Sequence, residues 1–234
     1  MASVVLFDLD GTLADTAPDL GLALNLQRKR HGLPFLDQEI IRPYASHGSK
    51  GLLGIGFDIT PEDANFAAMR DEYLALYDEL HTRAPLLFDG MDALLHRIEA
   101  AGMQWGVVTN KPRRFSAPLL AALKLDQRMA CLICADDAPR AKPHPDSLLM
   151  ACEQVGVQPD DCIYVGDAQR DIEAGVAAGM PTIVALYGYL DQADRPLEWG
   201  ADYVVHEVPE IETCLVAWQQ ALASRSSVSV TPAN

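Results

Sequence analysis

Asp8 and Asp10 stand two residues apart at the end of the run Val4-Val5-Leu6-Phe7, and Gly11 follows at once. In extended backbone this spacing puts both carboxylates on one side of the chain, about 6–7 Å apart. Further groups with chemical potential lie downstream: Thr109-Asn110, Lys142 before Pro143, and Gly166-Asp167 with Asp171 four residues on. A hydroxyl followed by free backbone N–H groups at a strand-to-helix turn can cradle a phosphate. Carboxylate oxygens suit Mg²⁺ better than zinc. Taken singly, each signal has a plainer reading. Thr-Asn at a strand end is ordinary turn chemistry, and lysines beside prolines are mostly solvated. An acid in the first turn of a helix, such as Asp171, is stabilised by the helix dipole.

Position decides between these readings, and position depends on the elements that carry the residues. Four apolar residues, two of them β-branched in sequence, make Val4–Phe7 a strand buried on both faces of a parallel sheet. Gly11 lets the chain break away there, because glycine tolerates backbone angles that other residues avoid. Asp15-Thr16 then offers a helix N-cap, with Pro18 in the first turn and Leu20, Ala23, Leu24 and Gln27 at helical spacing up to Gly32. From Asp37 to Arg83 there is no convincing strand: Leu52, Leu53 and Ile55 suggest a short helix. Pro61 starts a longer one through Phe66, Met69, Tyr73, Leu76, Tyr77 and Leu80. Residues 15–85 therefore read as an all-helical insertion on two linkers, near 12–16 and 82–88, an arrangement suited to a lid.

From Gly90 onward strands alternate with helices. Strands are expected at 105–109, 130–134, 162–165, 182–186 and 203–205, and helices at 91–101, 115–123, 146–155, 171–178 and 209–223. The class is α/β: a Rossmann-like parallel sheet core covered by helices on both faces, with an inserted all-helical cap subdomain. The core is residues 1–14 and 86–224, the cap is 15–85, and 225–234 is a polar, flexible tail. Asp8, Thr109 and Gly166-Asp167 then all fall at carboxyl ends of strands, where open α/β sheets place their ligands.

With 234 residues and 49% hydrophobic content the chain can build a substantial core. Its net charge of −15 argues against nucleic acid and anionic membranes as partners. An acidic protein that binds an anion needs local positive charge, and a metal ion is the obvious source. No apolar run approaches the roughly 18–20 residues that span a bilayer. Met1-Ala2-Ser3 leads straight into the first strand, so no cleavable signal peptide is expected. Five cysteines (131, 134, 152, 162 and 214) lie in apolar surroundings. Cys131-Leu132-Ile133-Cys134 has CxxC spacing but reads as a strand, with no second pair and no nearby histidine. Buried inert thiols in a reduced, cytoplasmic protein are the expectation.

In order and placement these motifs resemble the haloacid dehalogenase superfamily. Phe7-Asp8-Leu9-Asp10-Gly11-Thr12-Leu13 is similar to its first signature. Thr-Asn after a strand, a lysine before a helix and Gly-Asp-x-x-x-Asp after a strand follow as in its phosphatases, and the helical insert matches the C1 cap type. The resemblance implies that Asp8 is the nucleophile and Asp10 the acid/base. Thr109 and the Asn110 backbone would hold the phosphate, with Lys142 pairing Asp8 and the phosphate. Mg²⁺ would bind Asp8, the Asp10 carbonyl and Asp167, and Asp171 beside Gly166 would support Lys142 or a metal-bound water. Ala168 departs from the pattern, since many relatives carry Asp or Ser there, and one metal-water contact is thereby missing.

The physics points the same way. At about 4 Å and an effective dielectric near 20, each like-charge pair costs about 4 kcal/mol. One lysine cannot offset Asp8, Asp167, Asp171 and a phosphate together, whereas a divalent cation plus Lys142 can. A dehalogenase has no alkoxide to protonate, so Asp10 favours phosphoryl transfer. A phosphomutase of the β-phosphoglucomutase kind keeps both acids and remains an alternative. Val107–Pro112 resembles phosphoglycolate phosphatases. Trp105–Pro112, Arg170–Glu173, Tyr187–Tyr189 and Trp199–Asp202 are similar to the branch acting on N-acetylmuramate 6-phosphate. The expected partner is a small phosphorylated metabolite, and the expected state a monomer or homodimer. The loop from Arg42 to Lys50, with His47, is expected to lie over the substrate, because binding residues favour loops.

Overall fold

The computed structural model describes residues 3–228. Its centre is a six-stranded parallel sheet, entered at β1 (Val4–Phe7). The insertion follows: α1 (Ala17–Arg30), α2 (Gln38–Ile41), a 3₁₀ turn (Arg42–His47), α3 (Gly48–Phe57) and α4 (Phe66–Asp78). The alternating part runs α5 (Met91–Ala100), β2 (Gln104–Val108), α6 (Arg113–Ala122), β3 (Leu132–Ile133), α7 (Asp146–Val155) and β4 (Cys162–Gly166). It closes with α8 (Gln169–Ala178), β5 (Thr182–Ala185), β6 (Tyr203–Val205) and α9 (Glu210–Val228).

Strand order is β3-β2-β1-β4-β5-β6, with β1 in the middle and parallel to both neighbours. Period-two alternation explains why all four residues of β1 are buried. Val5 and Phe7 join Met91, Leu95, Ile211 and Trp218 on one face, and Val4 and Leu6 join Leu148, Ala151 and Ala174 on the other. The inserted helices have their own core of Leu20, Leu24, Ile41, Leu52, Leu53, Met69, Tyr73 and Leu76, to which Phe115 and Tyr189 contribute from the sheet side. The two linkers run against each other: Asp15 donates its N–H to Leu86 O at 2.9 Å, and Ala14 bridges Leu87.

Several expected boundaries shift, each for a local reason. The stretch from Arg42 to Lys50 is helical rather than a loop, broken only at Gly48, whose φ is +60°. Pro61 lies in a turn before α4, because Asp63 captures the Thr60 N–H at 2.7 Å. β3 is two residues long, since an edge strand has one neighbour to pair with. The last helix continues through Val228 past the expected start of the tail, and 229–234 lie outside the described residues. Cys131, Cys134, Cys152 and Cys162 are buried and none of the five is in a disulfide. Burial pushes the thiols of Cys131 and Cys134 up, to about 12 and about 11. Among the described residues, no helix is long and apolar enough to cross a membrane.

Candidate active site

The strand order reverses its direction of growth at β1, between β2 on one side and β4 on the other. At such a switch point the loops diverge and leave a crevice. Asp8 leaves β1 there with its N–H on Val165 O at 2.9 Å, and Asp167 follows β4. Asp8, Asp167 and Asp171 are all buried, and each offers an oxygen within 4.8 Å of the others. Two glycines permit this crowding. A Cβ on Gly11, whose φ is +84°, would stand 2.1 Å from Asp167 Oδ2, and one on Gly166 would stand 2.3 Å from Asp171 Cβ.

Lys142 balances part of the charge. The Asn110 side chain clamps its backbone, donating to Lys142 O and accepting the Lys142 N–H, both at 3.0 Å. Its ammonium is buried and donates to Val108 O at 3.1 Å, the Tyr164 hydroxyl at 2.7 Å and Asp171 Oδ1 at 2.7 Å. Those three bonds use every proton of the group. Asp8 Oδ1 lies 2.9 Å from the same nitrogen, a buried ion pair outside those three hydrogen bonds. Burial pulls the Lys142 pKa down, but Asp171 and Asp8 outweigh it and hold the ammonium above the ordinary lysine range.

Asp10 is held differently. Lys111 Nζ reaches its two oxygens at 2.9 and 3.1 Å, and the Thr16 hydroxyl donates to Oδ1. Thr16 thus spends its side chain on Asp10 instead of capping α1. Lys111 also donates to the hydroxyl of Tyr77, on α4, at 2.8 Å, so one ammonium ties the first loop to the insertion. The structure thus sets a cation directly against Asp10. Thr109, at the end of β2, is buried and accepts the Lys111 N–H through Oγ1 at 3.2 Å.

Over these groups lies a cleft of about 1210 Å³, with Asp8, Asp10, Thr109 and Asn110 on its floor. The insertion contributes His47 and Lys50 to its lining. Arg42 corrects the expectation from sequence: it does not line the cleft. Its guanidinium pairs with Asp15 at 2.9 and 3.0 Å and sits 5.0 Å over the Tyr189 ring, held by a carboxylate and an aromatic face at the linker.

A metal ion has a suitable donor set here. Among the described residues, Asp8 Oδ1 is buried and accepts no hydrogen bond, and Asp167 Oδ1 accepts one from the Thr12 hydroxyl, at 3.2 Å. Burial first, then the charges of Asp171 and Asp8, push the Asp167 carboxyl up to about 7, a carboxylate short of positive charge. Asp171 is committed elsewhere, through Oδ1 to Lys142 and through Oδ2 to the Ala168 N–H at 3.0 Å.

Residues 5–185 match the family model described as haloacid dehalogenase-like hydrolase. The chain belongs to that family. It is 41% identical to N-acetylmuramic acid 6-phosphate phosphatase of Pseudomonas aeruginosa, over 88% of this chain and 92% of the relative. It is 43% identical to phosphoglycolate phosphatase of Xanthomonas campestris pv. campestris, over 88% and 93%. A crystal structure of a predicted phosphoglycolate phosphatase from Haemophilus somnus superposes with a TM-score of 0.80 at 26% identity, covering 92% of this chain and 98% of that one.

In this haloacid dehalogenase-like hydrolase, Lys111, Arg114 and Arg170 are among the cleft cations that were not singled out from sequence. Lys111 follows Thr109 by two residues, the spacing that puts side chains on one side of extended chain, and that was the available signal. Arg114 and Arg170 also line the cleft. They sit near helix starts among ordinary surface arginines, and nothing local marks them.

Proposed function

We propose that the chain is a Mg²⁺-dependent phosphate monoester hydrolase, in the cytoplasm, acting on a small phosphorylated acid through an aspartyl-phosphate on Asp8. One observation carries this reading: the three protons of Lys142 go to Val108 O, Tyr164 and Asp171, which leaves the Asp8 side chain, 2.9 Å from that ammonium, available for attack in the cleft beside Asp167. In the mechanism, an Asp8 oxygen attacks phosphorus in line and the bond to the leaving oxygen breaks. Asp10 acts as the general acid that delivers a proton to that oxygen, then takes one from the water that splits the aspartyl-phosphate and frees Asp8. The Thr109 hydroxyl and the Asn110 N–H hold the phosphate oxygens, and Lys142 offsets the charge of Asp8. Asp8, the Asp10 carbonyl and Asp167 would hold Mg²⁺, which when bound neutralises phosphate charge as it meets the nucleophile. Residues 15–85 serve as the cap, and His47 and Lys50 as its substrate-facing residues.

The relatives support phosphoglycolate as substrate, and this is the main reading. A second reading, an amino-sugar acid phosphate, is favoured by the size of the cleft, about 1210 Å³, and by Lys50 and Arg114 in its lining. The test is phosphate release from 2-phosphoglycolate, N-acetylmuramate 6-phosphate, hexose phosphates and nucleotides, with Mg²⁺ and with EDTA. Release should stop in EDTA and return with Mg²⁺. Isomerisation of a hexose phosphate without release would establish a phosphomutase instead.

The raised Asp167 carboxyl makes a pH prediction. Its value of about 7, against an ordinary 3.8, means that between those limits the cation-free native state keeps a proton that the unfolded chain has lost. Native stability without cation therefore falls as pH rises through this window. Mg²⁺ must displace that proton, so its affinity should rise about tenfold per pH unit up to about 7 and level off above. Calorimetric titration with Mg²⁺ from pH ~5.5 to ~8.5 checks this, and a flat profile would contradict it.

A further inference from the structure

We infer that Ser46 is a positioning residue for the cation site: its hydroxyl, carried by the insertion, orients Asp167 and so couples cation binding to closure of the insertion. The inference rests on the proposed role of Asp167 as a metal ligand. Asp167 Oδ2 accepts two hydrogen bonds, from the Tyr189 N–H at 2.8 Å and from Ser46 Oγ at 3.0 Å. Both partners fall on the same oxygen, which leaves Oδ1, with its single long bond from Thr12, as the atom with capacity for a cation. Thr12 and Tyr189 belong to the sheet-edge loops; Ser46 alone comes from the inserted helices, 121 residues away in sequence. The loop after β4 cannot replace it, because Ala168 has no polar side chain and its N–H is spent on Asp171.

The contact is braced from the other side. Arg170 donates to Ser46 O at 2.9 Å, so Ser46 is gripped at its carbonyl while its hydroxyl grips Asp167. The clasp separates two spaces. Ser46, His47 and Arg170 line both the large cleft and a smaller one of about 370 Å³, and Asp167 opens onto the smaller one. Swinging the insertion away removes the Ser46 hydroxyl from Asp167, so the carboxylate is fully oriented only in the closed arrangement. Groups that orient a metal ligand from outside typically change metal affinity by about 10–100-fold. Linkage requires the reverse as well: a cation that prefers the closed state must stabilise closure by the same factor.

The experiment is calorimetric titration of the substrate-free protein with Mg²⁺, for wild type, Ser46→Ala and Ser46→Thr, with hydrogen exchange of residues 42–50 followed with and without Mg²⁺. Ser46 is half-buried and outside the core clusters, and a melting curve checks that each variant folds. We expect Kd for Mg²⁺ to rise about tenfold in Ser46→Ala and to return most of the way in Ser46→Thr, which keeps the hydroxyl. Mg²⁺ should slow exchange across 42–50 in wild type and lose that effect in Ser46→Ala. An unchanged Kd in Ser46→Ala overturns the inference while leaving the phosphatase reading intact. Unchanged protection of 42–50 by Mg²⁺ in Ser46→Ala overturns the coupling to closure. Failure of wild type itself to bind Mg²⁺ removes Asp167 as a metal ligand, and the inference with it.

Discussion

Asp8→Asn is expected to lower kcat by at least about 10⁴-fold while leaving the fold in place. The amide has the same shape but no charge, and it cannot supply the oxygen nucleophile of a carboxylate. The fold should tolerate the change because Lys142 satisfies its protons without Asp8, on Val108 O, Tyr164 and Asp171. Loss of one negative neighbour should also ease the repulsion that raises the Asp167 carboxyl, lowering its pKa. The measurement is steady-state phosphate release on the best substrate, with intact mass excluding deamidation to Asp. Near-wild-type turnover in a deamidation-free sample would defeat the assignment of Asp8 as nucleophile.

Lys142→Met should cost both activity and stability. Deleting the ammonium strands Asp171, wholly buried, beside Asp8 and Asp167 with no positive partner left for its Oδ1. Breaking a buried ion pair on one side typically costs about 3–5 kcal/mol. At about 2–4 °C per kcal/mol for a chain of this size, Tm should drop by about 6–20 °C. Lys142→Met/Asp171→Asn separates the two effects, because it removes the stranded charge together with its partner. Stability should recover in part, with a coupling energy of about 1–3 kcal/mol, and activity should not. Additive losses in the double variant would mean that the two residues do not act as a unit.

Mutual dependence of this kind is what local sequence cannot display. The runs that build the sheet are strongly patterned: Val4–Phe7 is apolar throughout, so it must be buried on both faces, and glycines mark where backbones approach. Asp8, Thr109, Asn110, Lys142, Gly166 and Asp167 are legible because each follows such a run or precedes a helix. Once the strands are parallel, their ends lie along a single edge, whatever the lengths between them. Lys111, Arg114 and Arg170 lack that advantage, and Arg42 misleads. A guanidinium on a half-exposed turn has many suitors, and only the packed linker shows that Asp15 and Tyr189 hold it.

By itself the sequence determined the parallel α/β core, the helical insertion and the identity of the groups at the strand ends, because periodicity and strand-end placement are local properties of the chain. Tertiary structure alone decided how charge is divided among those groups. Lys142 serves Asp171, Lys111 serves Asp10, and Ser46 crosses from the insertion to Asp167. Those pairings depend on distances between segments up to 121 residues apart, which the folding of the insertion over the sheet edge sets and no spacing along the chain encodes.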